Sequence, residues 1–224
     1  IIVGENNIPN SVFKIIKIKQ AVLKTVNFDW FIKNKKKNWD YCSYKRDVYN
    51  LPYPKVSVEN VSVALTALFH SPFNISDATI IDSIKNITLP GRFQIISDAP
   101  KIIFDVAHNP HAVLHLVKRL GEIPKFGKMY VIMGVLKDKD IIGMIVNLKK
   151  IVDYWYCVPI FSDRGVNMSQ LINILPKSFN ILGNIKTAWI DIRSRIKRED
   201  ILLVFGSFYL IAEAMKIINL NTSI

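Results

Sequence analysis

The chain has 224 residues, half of them hydrophobic, and a formal net charge of +12. That length and apolar content give a folded protein with a large core, either one big α/β domain or a full domain with part of another. The longest apolar run, Ile201 to Ala212, is broken by Gly206 and Ser207 and ended by Glu213. It falls short of the roughly 18 to 20 residues that a membrane span needs, so no transmembrane helix and no membrane partner is expected.

The N-terminus, "IIVGENN", lacks an initiating Met and the basic-then-apolar pattern of a signal peptide. It reads as a strand already under way, Ile1 to Val3, so the chain is expected to be a fragment. A helix is predicted from Ser11 to Leu23. The densest basic segment, "WFIKNKKKNWDYCSYKRD" from Trp30, interleaves aromatics with lysines as a single-strand binder does. A solvated hairpin is the preferred reading of it. Lys, Ile and Asn are enriched together all along the chain, and A- and T-rich codons account for the charge without nucleic acid as a partner. After the prolines of "LPYPKV" come two predicted helices, Val58 to Phe69 and Ser76 to Asn86, the second with Ser76 and Asp77 supplying N-cap chemistry. Pro90-Gly91 then stops the chain.

Beyond that point strands alternate with helices. Strands are predicted at Lys101–Ala107, Met129–Val135, Asp153–Pro159 and Ile201–Phe205. Helices are predicted at Pro110–Leu120, Ile141–Ile151, Met168–Leu175, Ile185–Lys197 and Phe208–Ile218. Continuous apolar strands between amphipathic helices mean βαβ units and a parallel sheet covered on both faces. In such sheets the ligand site lies beyond the carboxyl ends of the strands.

Asp105 falls near the carboxyl end of what reads as the first strand of this second domain. Asn109 follows at an N-cap position and Pro110 at the first helical position, with His108 in the turn between. A carboxylate there can accept hydrogen bonds from ribose hydroxyls or simply satisfy its turn, and the imidazole can bond a ligand or hold the turn. Three histidines, His108, His111 and His115, invite a metal reading because positions 111 and 115 share a helical face, but no Cys or Glu completes the set. Metal ligands are therefore not expected among them. Arg92, after the Pro-Gly turn, is placed to reach a phosphate, with a surface ion pair as its bland alternative. In "VFGSFYLIAEAM" a strand, Gly-Ser and a helix succeed one another, so Ser207 lies at a second anion-friendly turn. Cys42 and Cys157, far apart, make neither a disulfide framework nor a metal knuckle, and a reducing cytoplasm is expected.

Taken together, "LPGRFQ", "FDVAHNPHA", "GVLKDKD" and "VFGSFYLIAEAM", in this order and spacing, resemble the bacterial dihydrofolate synthase/folylpolyglutamate synthase family, which belongs with the Mur ligases. The resemblance implies a fold made of the tail of a P-loop ATPase central domain (residues 1–88), a hinge (89–92) and a Rossmann-like C-terminal domain (93–224). It implies an ATP- and Mg²⁺-dependent ligase that adds L-glutamate to dihydropteroate and to folates through an acyl phosphate, acting as a monomer on small molecules. By the same resemblance Asn60 meets the adenine, Arg92 reaches the phosphates and Asp105 binds the ribose. His108 is placed with Arg92 at the reacting groups, and Ser207 near the glutamate. Val106 departs from the family in standing where many relatives have Gly. No G-x-x-x-x-G-K-[ST] occurs, so the phosphate-cradling loop and most ligands for Mg²⁺ and pterin belong to a half that this sequence lacks. The fragment alone is expected to be inactive. Two alternatives remain: another Mur-type amide ligase of peptidoglycan synthesis, and a basic non-catalytic nucleic-acid binder around Lys35 to Lys37.

Overall fold

The computed structural model describes residues 1–124 and 127–219, and the chain divides into two compact units, Ile1–Leu89 and Pro90–Ile224.

In the first unit β1 (Ile2–Val3) pairs in parallel with β2 (Lys24–Thr25), and α1 (Asn10–Lys19) connects them. The helix predicted to Leu23 stops four residues early. Gln20 takes a left-handed conformation (φ 48°), its N–H and that of Ala21 return to the last helical carbonyls, and the chain turns to bring Lys24 beside Ile2. Strand pairing thus overrides a helical pattern that ran on. β3 (Trp30–Asn34), β4 (Asn38–Ser43) and β5 (Val48–Pro52) form an antiparallel sheet in which the predicted hairpin is β3–β4.

Three of the five aromatics of that basic segment point inward, while Phe31 and Tyr44 are exposed. Trp30, Trp39 and Tyr41 are fully buried against α2 (Val58–Phe69) and α3 (Asp77–Asn86), where Trp30 Nε1–H donates to Ser62 Oγ and the Tyr41 hydroxyl bonds Thr66 Oγ1. Lys35 is held by the buried Asp40 carboxylate, whose pKa that contact lowers. The segment is therefore a hairpin in which Trp30, Trp39 and Tyr41 make the core. Ser57 and Ser76 cap α2 and α3 by accepting the N–H groups of Asn60 and Thr79.

The second unit is a six-stranded sheet in the order β10-β9-β8-β11-β7-β6. Its parallel strands are β7 (Lys101–Asp105), β8 (Met129–Met133), β9 (Tyr154–Cys157), β10 (Asn180–Ile181) and β11 (Ile201–Phe205). β6 (Gln94–Asp98) lies antiparallel at the edge, and the sequence reading missed it, taking β7 as the first strand. Polar residues at both ends and a bulge between Ile95 and Ser97 hide its period, because an edge strand buries only part of each face.

Burial on both faces follows the period of two. Ile103, Val131, Met133, Cys157, Leu203 and Phe205 pack under α4 (Pro110–Gly121), α5 (Ile141–Leu148) and α6 (Met168–Ile174), while Phe104, Ile132, Tyr156, Leu202 and Val204 pack under α7 (Ile185–Arg193) and α8 (Phe208–Asn219). The predicted strand Ile201–Phe205 has the observed bounds, whereas those predicted to end at Ala107, Val135 and Pro159 overran at their carboxyl ends, because the last apolar residues leave the ladder to build turns. Val106 N–H, for instance, donates to the Gly91 carbonyl. At the opposite edge the buried Asp200 accepts the N–H groups of Lys128 and Lys197, which ties β11 to the segment entering β8. Among the described residues no helix is long and apolar enough to cross a membrane.

One backbone contact sets how closely the central strands can end. Gly206 has φ +124°, and a Cβ built there stands 2.6 Å from the Gly134 carbonyl oxygen, a backbone atom with no side-chain freedom to yield. Gly206→Ala combines a disfavoured dihedral with that clash and is expected to cost about 3 kcal/mol. A lowered urea midpoint with an unchanged slope is the measurement.

Candidate functional site

The register of the sheet brings the candidate residues together. Phe205 at the end of β11 pairs with Asp105 on one side and Met133 on the other. The turn leading from β7 to α4 therefore lies beside the turn leading from β11 to α8. Asn109 caps α4 by accepting the Ala112 N–H at 2.8 Å, with Pro110 in the first turn, as the sequence predicted. Ser207 caps α8 in the same manner, its Oγ accepting the Leu210 N–H at 3.1 Å.

Asp105 organises the region. Its Oδ1 accepts the Ala107 N–H at 2.7 Å and its Oδ2 accepts the Phe93 N–H at 2.8 Å, so one carboxylate joins its own turn to the segment before β6. That segment is held at two further points: Gly91 N–H donates to Gln94 Oε1, and the Gly91 carbonyl accepts Val106 N–H at 2.7 Å. Gly91 has φ +66°, and a Cβ there would stand 2.8 Å from Val106 Cγ1. Val106, the departure from the family pattern, thus fills the space over a glycine that has to stay a glycine.

Arg92 sits between these pinned neighbours. It is exposed, lies with its guanidinium carbon 5.6 Å from the centroid of the Phe208 ring, and adds positive charge near Asp105. Among the described residues it forms no ion pair, so the surface-pair alternative has no partner here. Burial raises the Asp105 carboxyl above its ordinary range, against the pull of the Ala107 and Phe93 N–H groups and of the Arg92 and Arg119 charges. A carboxylate kept where its charge is disfavoured, beside specific cations, is a candidate for a functional position. A carboxylate offers about four lone-pair sites, and the turns take two, which leaves acceptor capacity for a diol.

His108 Nδ1–H donates to the Val106 carbonyl at 2.9 Å, since a carbonyl can only accept. That bond fixes the tautomer of the neutral ring and leaves Nε2 without a partner among the described residues. Ser207 is buried, and one lone pair of its oxygen serves the cap, so its hydroxyl proton and a second lone pair remain for a ligand. Asn60 belongs to the first unit, exposed in the opening turn of α2, where its N–H meets the Ser57 cap. His111 and His115 are exposed and stack edge to face at 4.8 Å between centroids, and among the described residues no three His, Cys, Asp or Glu side chains gather as a metal site.

Arg119 was missed by the sequence reading. It lies over the Phe93 ring at 3.9 Å, and its own pKa is lowered by burial and raised by Asp105. As a basic residue in the last turn of α4 it reads as a helix-dipole partner. Only the fold of the 91–94 segment reveals that it faces Asp105.

Residues 91–208 match the family described as Mur ligase, glutamate ligase domain. The chain is 38% identical over 222 residues to the dihydrofolate synthase/folylpolyglutamate synthase of Buchnera aphidicola subsp. Schizaphis graminum, a match covering 96% of this chain and 52% of that protein. It is similar, with a TM-score of 0.90 and 37% identity, to E. coli FolC in complex with DHPP and ADP, covering 99% of this chain and 53% of that one. The bifunctional folylpolyglutamate synthase/dihydrofolate synthase of Yersinia pestis complexed with AMPPNP and Mn ion matches with a TM-score of 0.87 at 34% identity, over 97% and 52% of the two chains. The chain thus spans about half the length of the relatives it matches.

The raised Asp105 pKa has a pH signature. The folded state holds this proton where the unfolded chain, with its ordinary value of 3.8, has released it. The contribution of Asp105 therefore favours folding in acid and is lost as pH rises through the window above 3.8. Asp105→Asn removes that titration. Between pH 4 and pH 7 the stability of the variant relative to the original is expected to rise, and unfolding by denaturant at several pH values measures it.

Proposed function

We propose that this chain, which belongs to the Mur ligase family, is the C-terminal half of an ATP-dependent ligase that joins L-glutamate to dihydropteroate and to folate polyglutamates. In this reading residues 1–88 are the tail of the ATPase domain, 89–92 the hinge, and 93–224 the glutamate ligase domain. The observation that carries it is the carboxylate of Asp105, bound by two turns, raised in pKa and set beside the uncommitted Arg92 at the carboxyl edge of the sheet.

The chemistry explains the use of ATP. An amine cannot displace oxide from a carboxylate, so the carboxylate of the pterin substrate first takes the terminal phosphoryl group, giving an acyl phosphate and ADP. The glutamate amine then attacks the acyl carbon, its proton leaves, and inorganic phosphate departs as the amide forms. Catalysis of such steps rests on positioning and charge stabilisation.

The residues of this chain serve positioning. Asp105 has the free lone pairs to accept from the ribose hydroxyls, Arg92 has the reach and charge for a phosphoryl oxygen, and Asn60 is assigned to the adenine. His108, with Nε2 open, is placed as a donor or acceptor near the reacting groups. Ser207 is assigned to glutamate through its hydroxyl proton. Mg²⁺, which neutralises phosphate charge in such reactions, finds no ligand set among the described residues, and its ligands are assigned to the preceding half. Two free cysteines, one of them buried with its thiol pKa pushed up, suit a reducing cytoplasm. A monomer acting on small molecules, without nucleic acid or membrane, completes the reading.

The test is made on the complete enzyme, with the preceding half supplied. Arg92→Ala is expected to lower turnover about 10²- to 10³-fold, the usual effect of removing one charge-stabilising donor. Lys36→Ala, on the exposed hairpin turn, leaves it within about twofold. Equal effects of the two substitutions overturn the site assignment. The 224 residues alone, which hold no phosphate-cradling loop, are expected to give no ATP-dependent glutamylation of a folate, and detecting any refutes the division of labour proposed.

A further inference from the structure

Arg119 lies in the last turn of α4, where a solvated cation serves the helix dipole, as the exposed Lys118 beside it does. Arg119 is instead half-buried, with its guanidinium carbon 3.9 Å from the centroid of the Phe93 ring. Helical side chains lean toward the N-terminus of their helix, so a long one in the last turn can reach back along α4 toward the turn that follows β7. Its charge and that of the Asp105 carboxylate act on each other. The ligase reading gives this arginine no task.

Phe93 is the residue through which Arg119 can act. Its backbone sits in the left-handed region at φ 47°, a conformation disfavoured for a bulky side chain and kept only where the surroundings over-determine it. In that conformation its N–H reaches Asp105 Oδ2 at 2.8 Å. The Phe93 ring packs against the core that α4 covers, and the Arg119 guanidinium lies over its face. A cation over an aromatic face is attracted to it, the more so where water is excluded. Gly91 is held separately, by Gln94 Oε1 and Val106 N–H, so Arg92 has an anchor of its own. Phe93 leans on the carboxylate bond and on its ring.

We infer that Arg119 is a positioning residue for nucleotide binding: by clamping the Phe93 ring it keeps the Phe93 N–H on Asp105, and so holds the remaining lone pairs of that carboxylate toward the ribose. Arg119 itself touches no ligand. The identity of the ligand rests on the ligase reading, whereas the clamp does not.

The test is made on the complete enzyme, with the preceding half supplied. Arg119→Gln keeps much of the length and loses the charge; it is expected to raise the KM for ATP about tenfold with kcat within about threefold, because Asp105 serves binding and Arg92 keeps its anchor. Arg119→Lys, which can hold a cation over the ring, is expected to bring KM back to within about threefold of the original. Phe93→Leu keeps apolar bulk without the aromatic face, and in that background Arg119→Gln is expected to add less than about twofold, since the two side chains act as one unit. Amide hydrogen exchange over residues 91–94 is expected to quicken in Arg119→Gln and to slow again in Arg119→Lys. An unchanged KM, a loss confined to kcat, no rescue by lysine, or an undiminished effect in the Phe93→Leu background each overturns the inference. If the original enzyme shows no ATP-dependent glutamylation, the ligase reading falls, while quickened exchange in Arg119→Gln still supports the clamp. Unchanged exchange removes the clamp whatever the activity.

Discussion

Two backbone N–H groups on one carboxylate hold the candidate site in shape. Asp105 accepts from Ala107 in its own turn and from Phe93 in the segment before β6. The second of these fixes a residue in the left-handed region, Phe93 with φ 47°. Arg92 lies between that residue and Gly91, which is itself tied to Val106 and Gln94. The guanidinium therefore hangs from a backbone whose neighbours cannot turn, which limits the freedom lost when it meets an anion. A side chain on an unpinned loop would lose far more.

The sheet explains why these turns meet. β11 enters the order between β7 and β8, although it is the last strand in sequence. That insertion places the Phe205–Phe208 turn beside Asp105 and forces Gly206 against Gly134. The two edges then divide the work. At the amino edge carboxylates serve the fold: Asp200 bridges two backbone segments, and Asp153 accepts the Met129 N–H. At the carboxyl edge the carboxylate is raised in pKa, and a nearby cation is left without an ion pair among the described residues.

Much of this was legible in the sequence because it depends on local rules. Asn109 with Pro110 announced α4, continuous apolar runs announced the parallel strands, and Gly206-Ser207 announced the second turn. What was hidden depends on partners distant in sequence. β6 is half exposed and takes its identity from β7. The end of α1 is set by the pairing of Lys24 with Ile2. Arg119 gains its place from Phe93, a residue well before it in the chain. The aromatic and lysine interleaving around Trp30 was ambiguous for the same reason: only the sheet shows that Trp30, Trp39 and Tyr41 face inward.

The balance at Asp105 also bears on what a substitution there does. Folding gains two hydrogen bonds from the side chain, yet burial still makes the negative charge a net burden there. A neutral amide of the same outline sheds the burden but keeps only one of the bonds, turning an NH₂ donor toward the other backbone N–H. Asp105 and Arg92 therefore answer differently to substitution: two backbone N–H groups tie the carboxylate into the fold, whereas among the described residues the guanidinium meets it through the Phe208 ring.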